Sequence, residues 1–464
     1  MQLARLSVLT LAFAACTGSD DDDTPTDIPV ELNRYAFDGR TGESSVAYSG
    51  QVMRQLLIDD LQAFVTELGP RIDAGFAPAP GSTVADMEFY LSFDGETSGA
   101  IPHSLVTDPA PLQLTYGEVS DKNLWGKLAG NDEVGQHKDW STDFVGWGDH
   151  SPESLVRQWM QEIDDAAAAR ANGVIPTGAD GAPIASVALS ADGVDRAQLL
   201  GKFLRNGIAY SQGADDYLDD DTPGKGLLAD HTELSSGSPY TELEHAWDEG
   251  FGYYGATRNG GTLSAEQVAD TAFFDDDDDG KIDLTAEVAW GHSRNAAKRD
   301  TGAEASTSFY NDAWAGFVQG RDLLDQTDAA LTDAELAELQ GYRDQALEGW
   351  EAAIASTAVH YINDVLQDMS TFDSQEYDFA SHAKHWSELK GFSLGLQFNP
   401  RSRMSDSQFA ELQTRIGERP TLPSATSPER DAYVQDLLAA REILGQAYGF
   451  DAANLGDDNG LNGW

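Results

Sequence analysis

The stretch Thr332–Met369, TDAELAELQGYRDQALEGWEAAIASTAVHYINDVLQDM, carries no proline and repeats its apolar residues at helix spacing. It opens on Thr332 with Glu335 three places on. This is a capping box, in which a hydroxyl and a carboxylate satisfy the first free N–H groups of a helix. The segment predicts one long helix or two. The same period runs through Val52, Met53, Leu56, Leu57, Leu61, Phe64 and Val65, and through Leu155, Val156, Trp159, Met160 and Ile163. It returns in Leu199, Leu200, Phe203, Leu204 and Ile208, and in Phe309, Trp314, Phe317 and Leu324. Further capping boxes stand at Ser264 with Gln267 and Ser405 with Gln408, and Ser427-Pro428 predicts the start of the last helix with Pro at its first position. No run alternates as a substantial sheet would. Glycine-rich acidic connections occupy Gly173–Val194 and Asp219–Pro239, so the expectation is an all-α helical bundle with long irregular loops.

With 464 residues, 41% of them hydrophobic and ten of them Trp, the chain can fill more than one ordinary core, or one large duplicated unit. Its 79 acids against 29 bases give a net charge of −50. Such a field repels phosphate backbones and excludes nucleic acid as a partner, while it attracts divalent cations. Met1–Ala15, MQLARLSVLTLAFAA, has one basic residue, an apolar run and a small-residue end, the pattern of a signal peptide. Cys16, the only cysteine, excludes an intramolecular disulfide and follows that cleavage site as the acylated thiol of a bacterial lipobox does, with Phe13 in the place of the usual leucine. Thr17–Thr26 reads as a polar tether, so the chain is expected on a membrane face through a lipid on Cys16. The expected order is a signal peptide (1–15), lipidated Cys and tether (16–30), a helical half (31–269), a connector (270–299) and a second helical half (300–464).

Thr241–Gly255, TELEHAWDEGFGYYG, has a looser counterpart in Ala383–Pro400, AKHWSELKGFSLGLQFNP. His245, Trp247, Asp248 and Phe251 stand against His385, Trp386, Glu388 and Phe392, which suggests an internal duplication. Residues three or four apart share a helix face, so His245 with Asp248 or Glu249, and His385 with Glu388, are spaced to hold a cation jointly. Such donors suit iron, manganese, zinc or nickel, and the absence of paired thiols argues against a structural zinc site. The two blocks are expected to converge on one transition metal, with His360 and His382 in reserve. The alternative is that each histidine pairs locally beside a core Trp.

Phe273–Glu287, FFDDDDDGKIDLTAE, has the spacing of an EF-hand-like Ca²⁺ loop. Asp275, Asp277 and Asp279 take the first, third and fifth places, Gly280 the sixth, the Lys281 carbonyl the seventh, Ile282 the eighth and Asp283 the ninth. Ala286 occupies the twelfth place, and Glu287 follows one residue late. Gly250, Gly252 and Gly255 spell GxGxxG, but an acidic segment and not a hydrophobic strand precedes them, which excludes a dinucleotide fold. Arg321 and the Arg299-Asp300 pair read as ion-pair partners, and His103, His137, His150, His231 and His292 as loop or structural histidines.

The signal and lipobox, SVAYSGQ (Ser45–Gln51), YTELEHAWDEGFGYYG, the DxDxDGxID loop, NAAKRD (Asn295–Asp300) and HWSELKGFSLGLQFNP together resemble the bacterial lipoproteins of domain of unknown function 4856. That family's layout is similar to the imelysin or iron-regulated lipoproteins, duplicated helical proteins with a GxHxxE motif that are linked to iron uptake. His245 matches the motif histidine, with Asp248 for its glutamate and Leu243 for its glycine; His385 and Glu388 match HxxE, with Ala383 in the glycine position. The resemblance implies an envelope lipoprotein, at the outer membrane or cell surface, that binds iron in acquisition or sensing alongside an outer-membrane metal-uptake receptor. Alternatives are a metal-dependent peptidase of imelysin type with Glu249 as base, and a surface adhesion or glycan-binding lipoprotein.

Overall fold

The computed structural model describes residues 32–132 and 135–464. The expected signal peptide, lipidated Cys16 and tether lie outside the described residues. Eleven longer helices carry the fold: α1 (Ser49–Asp73), α2 (Ser82–Leu91), α3 (Pro152–Ala171), α4 (Arg196–Leu204), α5 (Glu242–Tyr254), α6 (Gly291–Thr301), α7 (Phe309–Asp325), α8 (Asp333–Ser370), α9 (Phe379–Gly395), α10 (Asp406–Ile416) and α11 (Ser427–Tyr448). Among the described residues there is no strand, only isolated bridges, and no helix is long and apolar enough to cross a membrane. The protein is all-α.

Thr332–Met369 resolves into a single helix. Thr332 accepts from Glu335 N, and α8 then runs 38 residues to Ser370. Its length lets one element pack against α6, α7, α9 and α11. The approach of α7 depends on small residues: a Cβ on Gly316 would stand 2.6 Å from both Ala346 N and Tyr342 O of α8. The boxes at Ser264 and Ser405 form as their sequences indicate. The last long helix differs by one place. Thr426 is its N-cap, boxed with Glu429, so Ser427 is the first helical residue and Pro428 the second. Pro is tolerated at either place because neither N–H has an intrahelical acceptor.

After α4 the chain continues through two π-helical stretches, Arg205–Tyr210 and Gly213–Tyr217. The widened turn carries Asn206, whose Nδ2 donates across to Gly391 O of α9 at 3.3 Å. One buried cluster extends from Tyr35 to Trp464 and draws on both sides of the 270–299 connector. Trp140, Trp159, Trp247, Trp314, Trp350 and Trp386 are fully enclosed in it. Burial of each large apolar side chain contributes about 1.5–3 kcal/mol, which makes this cluster the main source of stability.

Candidate functional site

The TELEHAWDEGFGYYG block forms α5, started by Thr241 and ended by Gly255 at φ 81°, a left-handed position that suits glycine. The helix is docked on SVAYSGQ. Asp248, wholly buried, accepts from Tyr35 Oη (2.7 Å), Ala47 N (2.9 Å) and Arg321 Nε (3.1 Å). Glu244 completes the pairing of the buried Arg321 at 3.3 Å, so Arg321 is the ion-pair partner the sequence suggested. Asp248 is therefore corrected from metal ligand to structural anion, because its oxygens are consumed by a guanidinium, a phenol and a backbone amide. His245 stacks on Tyr240 at 4.5 Å, with Nδ1 3.1 Å from Ala47 O and Nε2 3.8 Å from Glu249 Oε1. Glu249 in turn accepts from Gln51 at 2.7 Å.

The second block takes a different course. Glu388 Oε1 faces Lys202 Nζ at 3.2 Å and not an imidazole. His382 is fully buried, with Nδ1 3.1 Å from Tyr377 Oη. Among the described residues no group of three or more ligand atoms within 4.8 Å of one another contains His245, Asp248, Glu249, His385 or Glu388. The convergence of the two blocks on one metal is thus not formed; each histidine bonds to its own neighbours.

What gathers around His385 instead comes from α8. His360, Asp364 and Asp368 follow one another at i, i+4, i+8, so they share the face that α9 covers. Asp364 Oδ2 lies 3.4 Å from His360 Nε2 and 3.9 Å from His385 Nε2. Each separation falls in the ~3–4 Å range between neighbouring ligands on a metal with bonds of about 2.1 Å. The three atoms do not all lie within 4.8 Å of one another, however, so the two imidazole nitrogens stand apart on either side of Asp364. His385 Nδ1 is held by Asp368 at 2.7 Å, which leaves its Nε2 turned to Asp364. This is the carboxylate–imidazole arrangement that orients metal-binding histidines. His360 hydrogen-bonds the Trp464 backbone. The four side chains are 18–29% exposed, so the cluster is open to solvent. Burial, then the nearby Arg299 charge, pushes His360 down to about 3, keeping the imidazole neutral with its lone pair available. Burial alone would lower His385, but Asp368 and Asp364 raise it. To close on one ion, the two imidazoles must swing toward each other across Asp364. Sequence inspection missed Asp364 and Asp368; their four-residue steps from His360 were the available signal.

The acidic loop brings three carboxylates to one point: single oxygens of Asp275, Asp277 and Glu287 lie within 4.8 Å of one another. Glu287 reaches in from the thirteenth place, its Oε1 accepting from Asp276 N (2.8 Å) and its Oε2 from Asp283 N (2.7 Å). Gly280 at φ 78° makes the turn and donates to Asp275 Oδ2 at 3.1 Å. Asp275 Oδ1 is buried without a hydrogen-bond partner. Buried Ile282 anchors the loop by pairing with Ala110 and Leu112 backbone at 3.0 and 2.8 Å. Asp279 and Asp283 each use Oδ1 on a local turn, accepting from Lys281 N (2.8 Å) and Thr285 N (2.8 Å), as Asp277 Oδ1 does from Asp279 N (3.1 Å). The donor set, hard oxygens alone, suits Ca²⁺.

Fold and side-chain placement together define an all-α acidic protein with ionisable clusters at one helix seam and one loop. Residues 149–413 match the family described as Domain of unknown function (DUF4856), and since the match spans more than half of the chain, the protein belongs to that family. The matched segment includes α5, the acidic loop and the α8–α9 seam. No curated protein and no solved structure matches the chain.

Proposed function

We propose that this chain is a lipid-anchored bacterial envelope protein that binds a transition metal, iron by preference, at the α8–α9 seam and serves metal acquisition or sensing. The observation that supports it is the pair of imidazoles facing one carboxylate: His360 and His385, on opposite sides of the seam, both present Nε2 to Asp364 Oδ2. Two imidazoles and one carboxylate form the donor set of non-haem Fe(II) sites. Asp368 would orient His385, and the net charge of −50 would concentrate cations near the surface. The acidic loop would hold Ca²⁺ in a structural role through Asp275, Asp277 and Glu287.

The test is elemental analysis after anaerobic Fe(II) loading and desalting. Wild type is expected to retain one iron per chain, and His360→Ala, Asp364→Asn and His385→Ala to fall to background, while His245→Ala keeps its metal. Iron retained equally by the three seam variants and lost in His245→Ala would return the site to α5. Absence of retained metal from the wild type would refute the proposal.

A further inference from the structure

A cavity of about 510 Å³ opens between α4, α6, α8 and α9, and its charge is opposite to that of the protein. Five bases line it: Lys202, Arg205, Arg294, Lys298 and Lys384. They are drawn from only 29 in the whole chain, and two acids, Asp59 and Glu388, accompany them. Asp59 pairs with Arg205, and Glu388 with Lys202 through Oε1, its Oε2 being buried without a hydrogen-bond partner among the described residues. Among the described residues Arg294 donates only to the carbonyls of Ala269 and Asp270, at 3.3 Å each, and its buried Nε has no partner. Lys298 and Lys384 make no ion pair among the described residues. In a chain with 79 acids, leaving cations together and unpaired costs electrostatic energy unless an anion joins them.

The helix arrangement adds to that cost. The first turn of α6 also faces the cavity through Trp290 and Gly291. A helix N-terminus carries positive potential, normally offset by an acid or a capping side chain, and α6 has neither. Arg205 lies against this same turn so closely that a Cβ on Gly291 would stand 1.8 Å from its Nη1. Free N–H groups, a guanidinium and the Arg294 side chain thus present like charge to one space. Burial is the main cause that lowers Lys298, with Arg294 and Arg299 adding to it and Glu388 opposing it. The remaining wall is aromatic, from Phe273, Trp290, Tyr361 and Phe392.

We propose that this cavity is the binding site for a small organic anion, a polycarboxylate or a phosphate monoester, its body against the aromatic wall and its charges on Arg294, Lys298, Lys384 and the start of α6. The volume suits a small metabolite-sized ligand, since such sites measure roughly 300–1,000 Å³. The proposal rests on the cavity and is independent of the metal reading, although Tyr361 and Lys384 adjoin His360 and His385 in the chain.

The experiment is isothermal titration of the Ca²⁺-loaded protein with propane-1,2,3-tricarboxylate and, separately, with glycerol 2-phosphate. Either probe is expected to bind with one site, and the tighter one assigns the anion as polycarboxylate or phosphate monoester. Arg294→Gln/Lys298→Gln should weaken binding by about tenfold or more, because each charge-assisted contact is lost. Lys384→Glu, at an exposed position that a fold tolerates, is expected to weaken it as well, whereas His360→Ala leaves it unchanged. No binding of either probe at millimolar concentration overturns the proposal, as does wild-type affinity in both charge variants.

Discussion

Lys390 offers a quantitative check on the packing of α9. Its ammonium is wholly buried between α9 and α10, 2.8 Å from Gln413 Oε1 and 5.8 Å from the Trp147 ring centre, with no ion-pair partner among the described residues. Burial lowers its pKa from 10.5 to about 7. The folded state therefore binds this proton less readily than the unfolded chain, and stability rises with pH wherever the unfolded chain holds more protons. Below about pH 7 both states are protonated and the folded protein bears the full cost of a buried charge. A shift of that size corresponds to about 5 kcal/mol at about 1.36 kcal/mol per unit, an upper figure because the interior relaxes around a charge. Lys390→Met keeps the unbranched shape and removes the proton. It is expected to be more stable than wild type at pH 6 by a few kcal/mol, with the advantage shrinking by about 1.4 kcal/mol per unit from pH 7 to pH 10. Urea denaturation at fixed Ca²⁺ across that range measures it. Parallel curves for the two proteins, or a Met variant less stable at pH 6, would refute the burial of an unpaired lysine.

Three other outcomes follow from the same structure. Saturating Ca²⁺ should raise the melting temperature, since a hundredfold excess over Kd adds about 2.7 kcal/mol, and Asp277→Asn with Glu287→Gln should abolish the response; a wild-type Tm indifferent to both Ca²⁺ and chelator would leave the loop a solvated acidic turn. Asp248→Ala takes one carboxylate from the buried Arg321, which keeps Glu244, and leaves Tyr35 Oη and Ala47 N without their acceptor; it should cost about 1–3 kcal/mol in denaturation while leaving iron content unchanged, whereas loss of iron in a stable Asp248→Ala protein would contradict its structural assignment. Cys16→Ser should move the protein from the membrane to the soluble fraction, because a single thiol would carry the lipid; continued firm membrane association would count against lipid anchoring there.

The helices were legible in the linear chain because their signals are local. Apolar spacing, a Thr332–Glu335 box and the lack of proline all act within a few turns, and α8 follows from them. The turn of the acidic loop was legible for the same reason, with Gly280 and Ile282 at fixed offsets, whereas the entry of Glu287 from the thirteenth place depends on its bonds to Asp276 N and Asp283 N. Partner choice was another matter. His245, Asp248 and Glu249 had the spacing of ligands, but spacing cannot reveal that Arg321, 73 residues away, claims Asp248. Likewise the register of α8 against α9 sets Asp364 between His360 and His385, and α4, the turn after it, α6 and α9 together bring five bases to one cavity. Local backbone preferences write the elements into the chain, whereas a site depends on which side chains burial forces together, and that is settled only when the faces of distant helices meet.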